Sequence, residues 1–272
     1  MSNIEKGFAA VNGGNIYYEV AGEGEAILFL HGLFLDSRLW EDQFQEFAKT
    51  HKVIRLDLRG FGQTEITEEP FTNYEDLKGV LDYLNIDNVH VVGLSFGSLL
   101  GLELTIVYPN LVESLTLCSF KFTSGEESVE LLQARKEFLE AYQSMDVEKC
   151  IQLQADMSLF GGSSEIEVSK QNERLYRSML KENFQKPAIN RKPIFLGNTQ
   201  ERLGEVQAKT LILYGEKDFQ DYATGAEFLH SNINHSETDS FKHSAHMINL
   251  SEPDLFNNRL RNFIKGSVPS FH

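Results

Sequence analysis

Residues 89–101 read Val-His-Val-Val-Gly-Leu-Ser-Phe-Gly-Ser-Leu-Leu-Gly. Their first four residues form a short β-branched run of the kind that fills a buried strand. Residues 98–108 are mostly apolar, and Pro109 closes them as a helix is closed. Between the two lies Gly93-Leu94-Ser95-Phe96-Gly97, which fits G-x-S-x-G. In that motif a strand turns abruptly into a helix, with the serine at the apex. The apex residue is held in an unfavourable backbone region, and Gly93 and Gly97 carry no Cβ to collide with the turn. Ser95 then stands at a helix N-terminus, where free amides and the dipole favour negative charge such as an oxyanion. Taken alone, the motif also describes a Gly-flanked surface turn, so the rest of the chain decides.

Strands and helices alternate on both sides of this centre. Upstream, Asn12-Gly13-Gly14 marks a hairpin turn before a strand at 16–20, and Gly22-Glu23-Gly24 turns the chain into an apolar strand at 26–30. That strand ends in His31-Gly32-Leu33-Phe34. Residues 37–49 read as an amphipathic helix with Ser37 as its cap, and 53–58 as a strand that closes in Asp57-Leu58-Arg59-Gly60-Phe61-Gly62. A helix is expected at 73–85, and a strand at 114–120 follows the serine helix. Three helices, 126–144, 146–159 and 165–181, then interrupt the alternation. The first places Val129, Leu132, Leu139 and Tyr142 along one side, and Gly161-Gly162-Ser163-Ser164 separates the second from the third. Alternation resumes with a strand at 210–214, a helix at 222–229, a strand at 236–241 and a terminal helix at 253–264. The pattern predicts an α/β protein with a mostly parallel sheet, helices on both faces, and an inserted all-helical cap. The core spans 1–122 and 205–272, and the cap spans 123–204.

A serine hydroxyl is a poor nucleophile and needs an adjacent base, itself oriented by an acid. With the G-x-S-x-G turn the chain order is Ser, then Asp or Glu, then His. The chain offers Ser95, Asp218 in Leu-Tyr-Gly-Glu-Lys-Asp, and His246 in Ser-Ala-His-Met-Ile-Asn-Leu-Ser-Glu-Pro. Both partners follow predicted strands, where open α/β sheets place their ligands. Asp221 and Glu216 are the alternatives to Asp218. His31 reads as a structural histidine under its loop and His243 as a surface residue. Asp57 and Arg59 read as braces of their turn.

On these five stretches the chain resembles the α/β-hydrolase superfamily, in its cap-bearing branch of small esterases and lactonases. The resemblance covers nearly the whole length: His31-Gly32 is similar to the oxyanion loop, 57–62 to the turn after the next strand, 93–97 to the nucleophile elbow, and Asp218 and His246 to the acid and base. It implies the α/β-hydrolase fold with an eight-stranded sheet, and a serine hydrolase that cleaves a small carboxylic ester or lactone through an acyl-enzyme. It also implies catalytic roles for Ser95, Asp218 and His246, and an oxyanion hole from the amides of Leu33 and Phe96, with Phe34 as competitor to Leu33. Ser98 stands where many relatives carry a second glycine, and no consequence is expected of so small a change. No metal or cofactor is implied. The same framework in relatives also cleaves carbon–carbon bonds, makes peracids or hydrolyses amides. A ligand sensor with slow turnover is the reading from another class. Phe34, Phe120, Phe122 and Trp40 are candidates for an apolar pocket beneath the cap, or for ordinary core.

Composition narrows the partners. The 272 residues carry 40 acidic and 25 basic side chains, a net charge of −15. Such a surface repels phosphate backbones and anionic membranes, so a small-molecule substrate is expected rather than nucleic acid or membrane. Cys118 and Cys150 are too few and too far apart for a disulfide framework or a metal site, and read as small buried hydrophobes. Residues 1–10 lack an apolar signal region, and the one apolar stretch of membrane length, 89–109, contains His90, Glu103 and the serine turn. A cytoplasmic protein is expected.

Overall fold

The computed structural model describes residues 4–122, 127–161, 166–186 and 193–267. The chain opens with an antiparallel hairpin, β1 (Glu5–Val11) and β2 (Gly14–Ala21). Asn12 and Gly13 join the strands at φ 46° and 73°. A two-residue turn with positive φ matches the right-handed strand twist, which is why Asn-Gly is selected there. Six strands follow: β3 (Ala26–Leu30), β4 (Lys52–Leu56), β5 (Val89–Leu94), β6 (Val112–Cys118), β7 (Lys209–Gly215) and β8 (Ser236–Phe241). They form one sheet in the order β1-β2-β4-β3-β5-β6-β7-β8, antiparallel at β1–β2 and β2–β4 and parallel from β4 onward.

Register positions the site. Leu30 pairs with Gly93, Leu94 with Cys118, and Gly215 with Phe241, so the carboxyl ends of these strands are level. The loops after them therefore gather at one edge of the sheet. Two strand ends come earlier than the sequence pattern suggested. Strand β4 stops at Leu56 because Asp57 turns its carboxylate to the N–H groups of Ser37 and Gln63. Strand β6 stops at Cys118 because Ser119 has φ 48°, outside the range of a strand.

Period-2 alternation divides the core between the faces of the sheet. Leu28, Leu30, Ile54, Val91, Leu115 and Ile212 join one apolar cluster with helices α2 (Asn73–Tyr83), α3 (Phe96–Val107) and α7 (Gln220–Asn232). Ile27, Phe29, Val53, Val92, Leu211 and Leu213 join the other with α1 (Glu41–Phe47), α8 (Ile248–Ser251) and α9 (Pro253–Ser267). Each such side chain contributes about 1.5–3 kcal/mol on burial. The helix expected over 37–49 divides into a 3₁₀ turn, Ser37–Trp40, and α1. Its cap is Asp36, which accepts the Arg38 N–H, and not Ser37.

Among the described residues between β6 and β7 there are three α-helices: α4 (Val129–Gln143), α5 (Val147–Ser158) and α6 (Lys170–Phe184). Ser128, Asp146 and Ser169 cap them by accepting the N–H groups of Leu131, Lys149 and Asn172. The expected starts at 126 and 165, the boundary at 123 and residues 162–164 of the Gly-Ser stretch lie outside the described residues. The apolar side of α4 is not its buried side: Val129, Leu132, Leu139 and Tyr142 are exposed, while Leu131 and Ala141 are buried. Among the described residues no helix is long and apolar enough to cross a membrane.

Candidate active site

Strand β5 delivers Ser95 to the edge of the sheet with φ 54° and ψ −110°, a strained backbone for a non-glycine residue. A Cβ on Gly93 would stand 2.3 Å from the carbonyl oxygen of Gly97, and a Cβ on Gly97 would stand 2.2 Å from that of Leu30. Both glycines are therefore required by close backbone approach, as the motif predicted. The Ser95 N–H donates to the Cys118 carbonyl at 2.8 Å, which fixes the apex to β6. Ser98 is not a neutral replacement for glycine. Its fully buried hydroxyl donates to the Gly93 carbonyl at 2.7 Å and accepts the Cys118 N–H at 3.0 Å, tying the ends of β5 and β6 together.

His246 and Asp218 come from the loops after β8 and β7. Their contact, His246 Nδ1 to Asp218 Oδ2, is 2.7 Å. Asp218 Oδ1 accepts the Phe219 N–H at 2.9 Å, so both carboxylate oxygens are engaged. With Nδ1–H donated to the carboxylate, Nε2 is left with its lone pair. The Tyr222 ring meets the imidazole edge-on at a centroid distance of 4.6 Å, and Ser119 Oγ donates to the His246 carbonyl. Burial, followed by the Asp218 charge, pushes the Tyr222 phenol well above its ordinary range. The two alternative acids are committed elsewhere. Asp221 accepts the N–H and hydroxyl of Ser128, and Glu216 accepts the Ser240 hydroxyl.

The loop after β3 supplies the other wall. Leu35 N–H closes a turn onto the Gly32 carbonyl at 3.2 Å, while the N–H groups of Leu33 and Phe34 make no hydrogen bond among the described residues. The first amides of α3, Phe96 and Gly97, have no intrahelical acceptor. Phe34 sits at φ 64° and is held there by Phe138, Tyr142 and Phe184, with ring centroids 5.6, 5.9 and 4.9 Å away. His31 is fully buried. The Leu58 N–H donates to its Nε2, so Nδ1 carries the proton and donates to Gly32 O. Burial holds its pKa below the ordinary value, as befits a neutral structural ring. Arg59 braces its loop through Asp76 and the Val11 and Asn12 carbonyls, and His243 is exposed, both as the sequence suggested.

Ser95, Asp218 and His246 line one cavity of about 250 Å³ between the sheet edge and helices α4, α5 and α6. The Ser95 hydroxyl makes no hydrogen bond among the described residues, so the Asp218–His246 half of the expected row is closed and the serine half is open. Gly32, Leu33 and Phe34 also line this cavity, and α4, α5 and α6 contribute Leu131, Phe138, Met157 and Tyr176.

Three of the four candidate pocket aromatics lie elsewhere. Trp40 is fully buried in the core between β3 and α9, its ring tilted against those of Phe29 and Phe256 at 4.9 and 5.8 Å, so the apolar core rather than the cavity takes it. Phe120 packs edge-on against Phe122, and Phe122 against Phe228 of α7, outside the cavity wall. Phe96 contributes no side chain to the wall, because its ring packs against Phe195. Arg135, Gln154 and Tyr222 line the cavity and were not singled out from the sequence. Tyr222 had a readable signal, since it lies in the first turn of α7, four residues beyond Asp218.

The model of the alpha/beta hydrolase fold matches residues 25–253. Among curated relatives, the 3-oxoadipate enol-lactonase 1 of Acinetobacter baylyi is 26% identical, over 88% of this chain and 88% of that protein. Among solved structures, the esterase EaEST of Exiguobacterium antarcticum superposes with a TM-score of 0.81 at 20% identity, covering 96% of this chain and all of that one. Est816, described as an N-acyl homoserine lactone degrading enzyme, superposes with a TM-score of 0.75 at 25% identity, over 94% and 99% of the two chains. These relatives are hydrolases. With its serine turn, its eight-stranded sheet and a family match over most of its length, the chain belongs to the α/β-hydrolase fold family.

Proposed function

We propose that the protein is a serine hydrolase that cleaves a small carboxylic ester or lactone through an acyl-enzyme. The observation that carries this reading is the 2.7 Å contact between Asp218 and His246 on the wall of the cavity that also exposes the strained Ser95. Ser95 Oγ attacks the carbonyl carbon, and His246 Nε2 takes its proton and returns one to the leaving oxygen. Asp218 holds the imidazole and stabilises its charged form. The amides of Leu33 and Phe96 receive the oxyanion; one such donor is worth about 2.7–4 kcal/mol of transition-state stabilisation. The negative charge also lies at the N-terminus of α3, where the helix dipole favours it. A cavity of about 250 Å³ suits a small substrate. The names of the enol-lactonase and of the lactone-degrading Est816 agree with a cyclic or acyclic ester.

Fluorophosphonate labelling of Ser95 with multiple turnovers of 4-nitrophenyl acetate is the expected result. Ser95→Ala should lose both while keeping its circular dichroism spectrum. Labelling without turnover on a panel of short esters and lactones would instead indicate a ligand sensor.

A further inference from the structure

Resting on the hydrolase reading above, we infer that the cavity carries a carboxylate-binding subsite built by Arg135, Tyr222 and Gln154, and that the substrate is an ester or lactone with an anionic end. All three residues line the same cavity as Ser95. Arg135 of α4 gives both of its short contacts to Glu127 through Nη1, at 2.6 Å to each carboxylate oxygen. Its Nε and Nη2 hydrogens have no acceptor among the described residues. The Tyr222 hydroxyl and the Gln154 Nε2 hydrogens are likewise without an acceptor among those residues, and Gln154 uses only its oxygen, toward the Ser158 hydroxyl. The free polar hydrogens of this wall are therefore donors, and one belongs to a planar cation suited to two-point recognition of a carboxylate.

The surrounding charges leave Arg135 available. Glu127 is shared with Lys121, whose Nζ lies 2.7 Å from Oε1, so two cations face one carboxylate. Asp221, the next acid, is occupied by the N–H and hydroxyl of Ser128. Asp218 is the carboxylate on the cavity wall, and both its oxygens are spent on His246 and Phe219. Tyr222 touches His246 with its ring, and the Arg135 charge is one of those that act on its phenol. The Arg135 side chain is 42% exposed, and the Glu127 contact restrains its guanidinium before any ligand arrives. The rest of the wall is largely apolar, with Leu33, Phe34, Leu131, Phe138 and Met157, which fits the chain between an ester and a terminal carboxylate. On a molecule of net charge −15, such a local cation offsets the repulsion that an anionic substrate meets.

The test compares 4-nitrophenyl hydrogen succinate, glutarate and adipate with neutral 4-nitrophenyl butyrate, pentanoate and hexanoate. The wild type should prefer at least one carboxylate ester over its neutral partner by tenfold or more in kcat/KM. Arg135→Met should lower that ratio by at least tenfold, mainly through KM, and Arg135→Lys should restore part of it. An unchanged ratio in Arg135→Met, with both esters still hydrolysed, would overturn the subsite and leave the hydrolase intact. Calorimetric titration of free succinate, glutarate and adipate into Ser95→Ala protein separates the two readings. Binding of one of them that Arg135→Met abolishes supports the subsite even if no ester turns over, and failure of all three to bind counts against it.

Discussion

His246 Nδ1 lies 2.7 Å from Asp218 Oδ2, and the other oxygen of that carboxylate is held by the Phe219 N–H. This second bond decides what an amide would do there. In Asp218→Asn the Phe219 N–H keeps the side-chain oxygen, so the NH₂ group faces Nδ1. The imidazole then carries its proton on Nε2 and has no lone pair for the Ser95 hydroxyl. The expected loss in kcat is on the order of 10⁴, the size seen for the same change in a serine protease triad. Steady-state kinetics on 4-nitrophenyl acetate measure it, with circular dichroism as the check on folding. Glu216→Gln, at a carboxylate that accepts the Ser240 hydroxyl, should stay within about threefold of the wild type.

The serine turn should not tolerate even a methyl group. In Gly97→Ala the new Cβ would meet the Leu30 carbonyl oxygen at 2.2 Å, and backbone on both sides gives neither partner room to move. A cost of about 3 kcal/mol or more follows from such overpacking. A urea melt should show a large fall in midpoint or a chain that no longer expresses in soluble form; an unchanged midpoint would mean that the turn is built differently.

Ser98 carries a smaller prediction. Ser98→Ala removes the hydroxyl between the Gly93 carbonyl and the Cys118 N–H, which are buried at the junction of β5 and β6. Leaving such groups unpaired costs about 1–3 kcal/mol. Denaturant unfolding reads it directly, and a loss below 0.5 kcal/mol would mean that the bridge is dispensable.

The last two cases mark what a linear pattern can carry. Gly93, Ser95 and Gly97 were readable because local backbone strain dictates residue type within five positions. Asp218 and His246 were readable because parallel strands deliver their following loops to one edge, so position after a strand implies position in space. The hydroxyl bridge of Ser98 was not, because Ser98 lies in α3 and, although its acceptor Gly93 is only five residues back on β5, its donor Cys118 belongs to β6, twenty residues away. The pocket wall was least readable. Phe34 lies in the loop after β3 and Trp40 six residues on in the 3₁₀ turn, both apolar, yet one faces the cavity and the other fills the core. Helical periodicity on α4 even pointed outward, since its apolar stripe is exposed and Leu131 and Ala141 are buried.

Buried imidazoles give the fold a dependence on mild acid. Burial holds the pKa values of His31 and His90 below the ordinary value, so in the folded state both stay neutral at a pH where the unfolded chain binds protons. Below the unfolded pKa of about 6.5 the unfolded state takes up more protons than the folded one, and stability falls as pH drops until the depressed folded pKa is reached. Each such ring contributes a slope of up to about 1.4 kcal/mol per pH unit. Asp57 and Glu103 work in the opposite sense. Burial raises their carboxyl pKa values, so protonation favours the folded state from those raised values down to the unfolded ones near 4. The net curve is therefore a difference of terms, and a single variant isolates one of them. His90 is buried on β5 with Nδ1 2.8 Å from the Ser114 hydroxyl, and His90→Gln keeps a polar partner there without a titratable ring. Urea unfolding at pH 7.0, 6.0 and 5.0 should show the wild type losing more stability than His90→Gln over that interval. Parallel pH dependences in the two proteins would mean that His90 protonates equally in both states and that its burial does not govern its titration.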